Sequence, residues 1–480
     1  MNLNRARYSV FSILLWVAIS LVAQQNRLMY LIHDVPQSNF LNPAVPLKCK
    51  WYIGLPVLSS VHLNAANNLT SFNQAFSPIG NGIYQTSISQ VEPLIHRRNY
   101  VGAELHVQLL GIGFATGDWS FLASVNEKVE LAGTIPKSIV DLGMYGNRKF
   151  EGSEMSLLGT GLFETHYREY ALSISKRFDN GLILGTRAKV LFGKSNVSTK
   201  PFDVAVLTDD LTFDLHLIGI ATVRSSLPAY VNVVNDKPSD FVVQDLFDVK
   251  GYLMNKENLG LAFDFGVIYP LSEQIELSAS VIDLGAISWQ SNLHQYKGWG
   301  DFAYSGALGS NTSFNNLGNN FLDSLHLASN MDSYLTYLAP RVMAGATYNN
   351  QEKMTWGINT DLRIYRTKIL SALTLSGQYQ ASDAVKLILG YTLQYNSFNN
   401  IGAGLVLGNH PVQFYIISDN VTSFIWPLST RNVNLRFGFN LIPNCNRVKS
   451  ENNKGLHSNG KPALPGNCSW VKEPRKRKRR

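Results

Sequence analysis

Between residues 51 and 442 the hydrophobic positions recur at every second residue, the repeat that sets alternate side chains on opposite faces of a β-sheet. In 433–441 one face reads Val433, Leu435, Phe437, Phe439 and Leu441, and the other Asn434, Arg436, Gly438 and Asn440. Residues 354–365 set Met354, Trp356, Ile358, Leu362 and Ile364 against Thr355, Asn359, Asp361 and Arg363. Residues 385–396 set Val385, Leu387, Leu389, Tyr391, Leu393 and Tyr395 against Lys386, Thr392, Gln394 and Asn396. In 182–194, Arg187 and Lys189 lie opposite Leu184, Ala188, Val190 and Phe192. Each run is about ten residues long, enough to cross a bilayer as a tilted strand.

Alternation also fits a soluble sandwich, so the connections decide. Short polar turns fall at 116–118, 179–181, 209–210, 272–274, 349–353, 382–383 and 408–411, and long links at 133–165, 225–258 and 290–340. With antiparallel pairing the short turns gather at one end and the long links at the other, the asymmetry of outer-membrane barrels. The reading is an all-β, antiparallel transmembrane β-barrel of about 14 to 16 strands over 51–442, least defined near 51–65 and 200–208. Closure leaves no unpaired edge in lipid. Helical pieces are expected at 137–145 and 321–331, within the long links.

Composition agrees with a barrel and excludes a helical membrane protein. Charged residues make up 16%, with 24 Phe, 21 Tyr and 8 Trp; soluble domains usually carry about 25% charged residues. A mean hydropathy of −0.04 leaves no room for several spans of about 20 apolar residues. Arg5 and Arg7 ahead of an apolar run over 8–22, closed by Ala23, form a secretory signal peptide at 1–23. Residues 24–50 contain Pro36, Pro43 and Pro46 and read as irregular, either periplasmic or inserted in the lumen. The net charge of +8 belongs to residues 443–480, which hold 11 Lys or Arg and 2 acidic residues. Behind a signal peptide this basic tail points to a periplasmic extension and not to nucleic acid.

The stretch QSNFLNPAVPLKCKWYIGLPVLSSVHLNAAN at 37–67 resembles the opening of the Bacteroidetes outer-membrane proteins grouped as DUF5723, related in architecture to FadL-type transport barrels. GLAFDFGVIYPL and ASVIDLGAISW within 259–289, and PVQFYIISDN, IWPL and NVNLRFGFNL within 411–441, are similar to segments of the same family and of PorP/SprF-like and PorV-like barrels. The tail after Ile442 departs from that pattern. The resemblance implies the outer membrane of a Gram-negative bacterium, with surrounding lipid and the barrel-assembly machinery as partners. It also implies that the amino-terminal segment sits in the lumen as a hatch, the alternative being a leader packed beneath the barrel. Two functions follow: FadL-like passage of small or hydrophobic molecules, or an accessory barrel whose loops or basic tail dock on an envelope partner.

No motif points to an enzyme, a cofactor or a metal site. Gly111, Gly113 and Gly117 lead into a strand and offer no helix amino terminus to a phosphate. Ser173 and Lys176 point to opposite faces. His106 and His216 fall within strands as lumen or girdle polar groups. Cys445 and Cys468, 23 positions apart, are the candidate disulfide, leaving Cys49 free. What accumulates is inward charge: Arg187, Lys189, Asp361, Arg363, Lys386 and Arg436, with Asp264 and Glu276 as partners. A charge facing lipid at the midplane costs about 2–4 kcal/mol, so these candidates must line the lumen. They form either a path selective for anionic solutes or a salt-bridged filling that pins the amino-terminal segment.

Overall fold

A computed structural model describes residues 27–443, except 81–82, 87, 201, 213, 244–247, 305–325, 351–352, 366–367, 395–396 and 409. Residues 1–23, expected as a signal peptide, and the basic tail after residue 443 lie outside the described residues. The strands close into an antiparallel barrel of 14. The first, β1, is broken into Trp51–Gly54 and Val61–Asn67. Next come β2 (Arg98–Thr116), β3 (Trp119–Pro136), β4 (Gly161–Arg177), β5 (Ile183–Thr199), β6 (Asn258–Pro270) and β7 (Ile275–Trp289). The second half is β8 (Arg341–Asn350), β9 (Met354–Tyr365), β10 (Lys368–Ser382), β11 (Val385–Gln394), β12 (Ser397–Leu407), β13 (Val412–Ser418) and β14 (Asn432–Leu441). Closure joins β14 to β1, with Ile53 opposite Leu441 and His62 opposite Arg436.

Alternation along each strand produces two chemically distinct faces. On β6, Leu259, Leu261, Phe263 and Phe265 are exposed outside while Asn258, Ala262 and Asp264 are buried inside. The same holds for Trp356 and Ile358 against Asn359 and Asp361. A continuous apolar outer surface over a polar interior suits only a barrel solvated by lipid. At the short-turn end Trp51, Phe114, Phe121 and Trp119 stack in a chain, and Lys176 Nζ sits 4.8 Å from the Trp119 ring centre. Aromatic rings and a lysine at that level mark a membrane–water interface.

Six of the seven expected short turns connect strands at this one end. The seventh, at 209–210, instead links Asp203–Thr208 to Leu215–Ser226 in a sheet that rises from the long-loop end. In that sheet Leu215–Ser226 pairs along its length with Leu293–Tyr304, which pairs in turn with His326–Asn330. The helix expected at 137–145 is present as Lys137–Tyr145. The helix expected at 321–331 is not: 321–325 lie outside the described residues, and His326–Asn330 is a strand held by its neighbour's backbone. Tertiary pairing overrides the local pattern there.

Residues 27–50 fold back inside the barrel. Leu28, Met29, Tyr30, Leu31, Ile32 and Val35 form one cluster with wall residues Ile282, Met343, Ile388, Val406, Tyr415 and Ile417. Glycines in the wall make room for this plug. A Cβ on Gly185 would lie 2.2 Å from the carbonyl carbon of Pro43, and one on Gly390 would lie 2.3 Å from Leu28 Cδ2.

Candidate functional site

The lumen residues separate into a set that fastens the plug and a set that lines a chamber beside it. Fastening begins at the plug's first turn, where the Asp419 carboxylate accepts the backbone N–H groups of Arg27 (2.9 Å) and Leu28 (3.0 Å). The Arg27 guanidinium reaches Asp361 at 3.0 Å, and Arg341 holds the same carboxylate at 2.6 and 3.0 Å. Asp34 pairs with Lys48 of the plug and Lys386 of β11. His33 Nδ1 lies 3.2 Å from Glu276. Arg187 donates to the carbonyls of Asn39 (3.0 Å) and Phe40 (2.7 Å) while paired with Asp264 at 2.5 Å. The Gln37 amide sits among Tyr52, Gln108 and Asn440 within 2.8–3.0 Å.

The chamber encloses about 690 Å³ of non-atom space, part of it open to solvent. Plug residues Phe40 and Leu41 form part of its wall. Glu104 and Glu130 are cross-strand neighbours on β2 and β3, and Arg363 of β9, on the far side of the barrel, bridges them, reaching Glu130 at 2.9 Å. Lys128 holds Glu169 at 2.8 Å, and Lys189 holds Asp283 at 2.6 Å and Asp264 at 2.7 Å. These four lining carboxylates are each matched by a cation, as buried charges require.

Arg436 differs. Only 4% exposed, it donates from Nη1 to Ser60 Oγ at 3.2 Å, and its Nε has no hydrogen-bond partner among the described residues. Beside it stand His62, whose Nδ1 is also unpartnered and whose Nε2 lies 3.9 Å from Glu104, and His106, edge-on to His62 with ring centres 5.4 Å apart and with its Nε2 3.6 Å from Glu130.

All eight lumen candidates from the sequence lie inside the barrel: Arg187, Glu276, Asp361 and Lys386 contact the plug, Arg187, Lys189, Arg363 and Arg436 line the chamber, and Asp264 backs Arg187 and Lys189. The residues not anticipated are Glu104, Lys128, Glu130, Glu169, Asp283 and Arg341 on the wall, and Asp419 beyond it. Glu104 and His106 alternate with Leu105 and Val107, a signal that was available. His216 lies on the raised sheet and not in the chamber.

The expected cysteine pairing requires correction. Cys49 is disulfide-bonded and therefore not free; Cys445 and Cys468, expected as a pair, lie outside the described residues. Closure supplies the reason: it brings the root of the plug against the end of β14, where Cys49, Tyr52 and Ile442 share one cluster. Among the described residues no group of three His, Cys, Asp or Glu side chains is arranged to hold a metal ion.

A lipid-facing closed barrel, an inserted amino-terminal plug and a charged chamber together define a plugged transmembrane β-barrel protein. Residues 43–419 match the family of unknown function DUF5723, and the chain belongs to that family. Among solved structures it is similar to the toluene transporter TbuX of Ralstonia pickettii (6% identity, 85% of this chain and 94% of that one, TM-score 0.43). It is also similar to a FadL homologue of Pseudomonas aeruginosa (11%, 85% and 92%, TM-score 0.41) and to the toluene transporter TodX of Pseudomonas putida (9%, 88% and 93%, TM-score 0.38). No curated protein sequence matches the chain. At this level of likeness the functional reading rests on the barrel's own residues.

Proposed function

We propose that this protein is an outer-membrane barrel that passes small hydrophilic solutes, with the amino-terminal plug as its gate. The observation that carries this is the composition of the chamber: ten of its lining residues are Asp, Glu, Lys or Arg. An apolar solute there would strip water from charged groups and return little, because burial of a charge is repaid only by pairing. A polar solute replaces that water. The short turns, the start of β1 and the end of β14 then face the periplasm, the usual orientation of such barrels.

Besides its apolar cluster with the wall, the plug is fastened by ion pairs and hydrogen bonds, which water and solute can exchange. Gly185→Val tests the gate, since even the first added carbon meets the Pro43 backbone; overpacking of this kind costs about 1–3 kcal/mol. In proteoliposomes the variant is expected to admit a neutral hydrophilic solute such as arabinose faster than the wild-type protein does. A folded Gly185→Val barrel with no flux, alongside a wild-type protein with none, would remove passage as the function.

A further inference from the structure

We infer that the wall patch Ser60–His62–His106–Arg436 is a binding subsite for a small oxyanion, a carboxylate or a phosphate carried by a hydrophilic solute. The inference rests on the passage reading for the solute's access, and on separate observations for its charge.

Charge is the first of these. The chamber's carboxylates are committed: Glu104 and Glu130 to Arg363, Glu169 to Lys128 and Asp283 to Lys189. Arg341 is committed to Asp361. Arg436 makes no ion pair among the described residues, although it is always protonated and nearly sealed from bulk water. A buried cation left in that condition is costly, and a bound anion removes the cost.

Geometry is the second. Arg436 and His62 are register partners on adjacent strands, and the ring of His106 on the next strand touches His62, so the three side chains form a row across β14, β1 and β2. The row bears two orphaned ring or guanidinium nitrogens on residues more than nine-tenths buried: Arg436 Nε and His62 Nδ1. Ser60 adds a hydroxyl beside Arg436 Nη1. All four line the same chamber. An oxyanion can take one oxygen to Arg436 Nε and another to the imidazole edge. Such charge-assisted bonds are stronger than neutral ones. Apolar lining is confined to Phe40, Leu41, Val107 and Ile282 among ten charged residues, which suits a small solute whose charged group meets the row and whose remainder is short.

The test uses full-length protein in nanodiscs, with inorganic phosphate, acetate and glycerol as separate probes read by calorimetry. Saturable binding of phosphate or acetate, with none of glycerol, is expected, and the anion that binds identifies the headgroup. Arg436→Met should weaken the binding by at least about tenfold, the loss expected for a charge-assisted hydrogen bond. Lys176→Met, at the outer aromatic girdle, should leave it unchanged. Because Arg436→Met could misfold, the Nε resonance of ¹⁵N-arginine-labelled wild-type protein provides a second readout and should shift on adding the anion. No anion binding by the wild-type protein, equal binding of glycerol, or full binding by a folded Arg436→Met variant would overturn the inference. Arabinose flux without anion binding would sink the subsite and spare passage; anion binding without flux would do the reverse.

Discussion

Arg363→Met removes the strut that crosses the barrel. In the native protein the Arg363 guanidinium spans from β9 to Glu104 and Glu130 on the opposite wall, and those two carboxylates are cross-strand neighbours. Methionine fills similar volume but leaves two adjacent acids without their cation. Breaking a buried pair in this way costs about 3–5 kcal/mol; the Glu130 side chain is 15% exposed, so the lower end is expected. Urea-gradient unfolding of the barrel reconstituted in lipid vesicles, followed by tryptophan fluorescence, measures the difference. Adding Glu104→Gln and Glu130→Gln to the same chain should restore most of the loss, because neutral amides hydrogen-bond each other where two carboxylates repel. If Arg363→Met lost less than about 1 kcal/mol, the value of an exposed pair, the strut would be a solvated contact and the account of a charge-matched chamber would fail.

Peptide mapping without reductant should recover Cys49 in a disulfide-linked peptide; a free Cys49 thiol would contradict the structure. Leu261→Arg, placing a charge on an outward position that is 54% exposed, should destabilise the barrel in lipid by about 2–4 kcal/mol, and an unchanged stability would place that face away from lipid. In the outer loops, hydrogen bonds from Tyr145 and then Lys149 hold the Glu92 carboxyl below its ordinary value. Its tie to the helix Lys137–Tyr145 is therefore complete above pH 4.5 and is lost as pH falls through the lowered value. Hydrogen-exchange protection of that helix, corrected for intrinsic rates, should drop over this acid range, and constant protection would count against the tie.

The barrel was legible because a period of two maps directly onto two faces, and because lipid on one side keeps that contrast clean over strands such as β6 and β14. Inward charges on such strands were found for the same reason. The signal blurred on β3, where Asn126, Glu127 and Lys128 are consecutive polar residues: Asn126 and Lys128 line the chamber, while Glu127, on the opposite face, is held by Arg168 and His166. Contacts of the plug left no local trace. Asp419 and Arg27 are 392 positions apart, and only closure brings them together. The same holds for Cys49, whose surroundings come from both ends of the barrel; spacing along the chain favoured the two cysteines of the tail. Gly185 gave no signal of its own in the alternating strand, and its purpose became visible only with Pro43 against it.

The wall of this barrel is of unequal height. At the long-link end β9 and β10 stay paired up to Tyr365 and Lys368, and β11 and β12 up to Gln394 and Ser397, whereas on the flank from β4 to β7 Leu215–Ser226 and Leu293–Tyr304 pair in a sheet that continues beyond the barrel strands. Among the described residues the rim is consequently uneven, low over β9 to β12 and raised over β4 to β7. In the orientation proposed above, a bulky binder such as an antibody or a phage tail fibre first encounters the raised flank. Binders raised against intact cells should therefore select epitopes on the raised sheet and leave solute entry unimpeded.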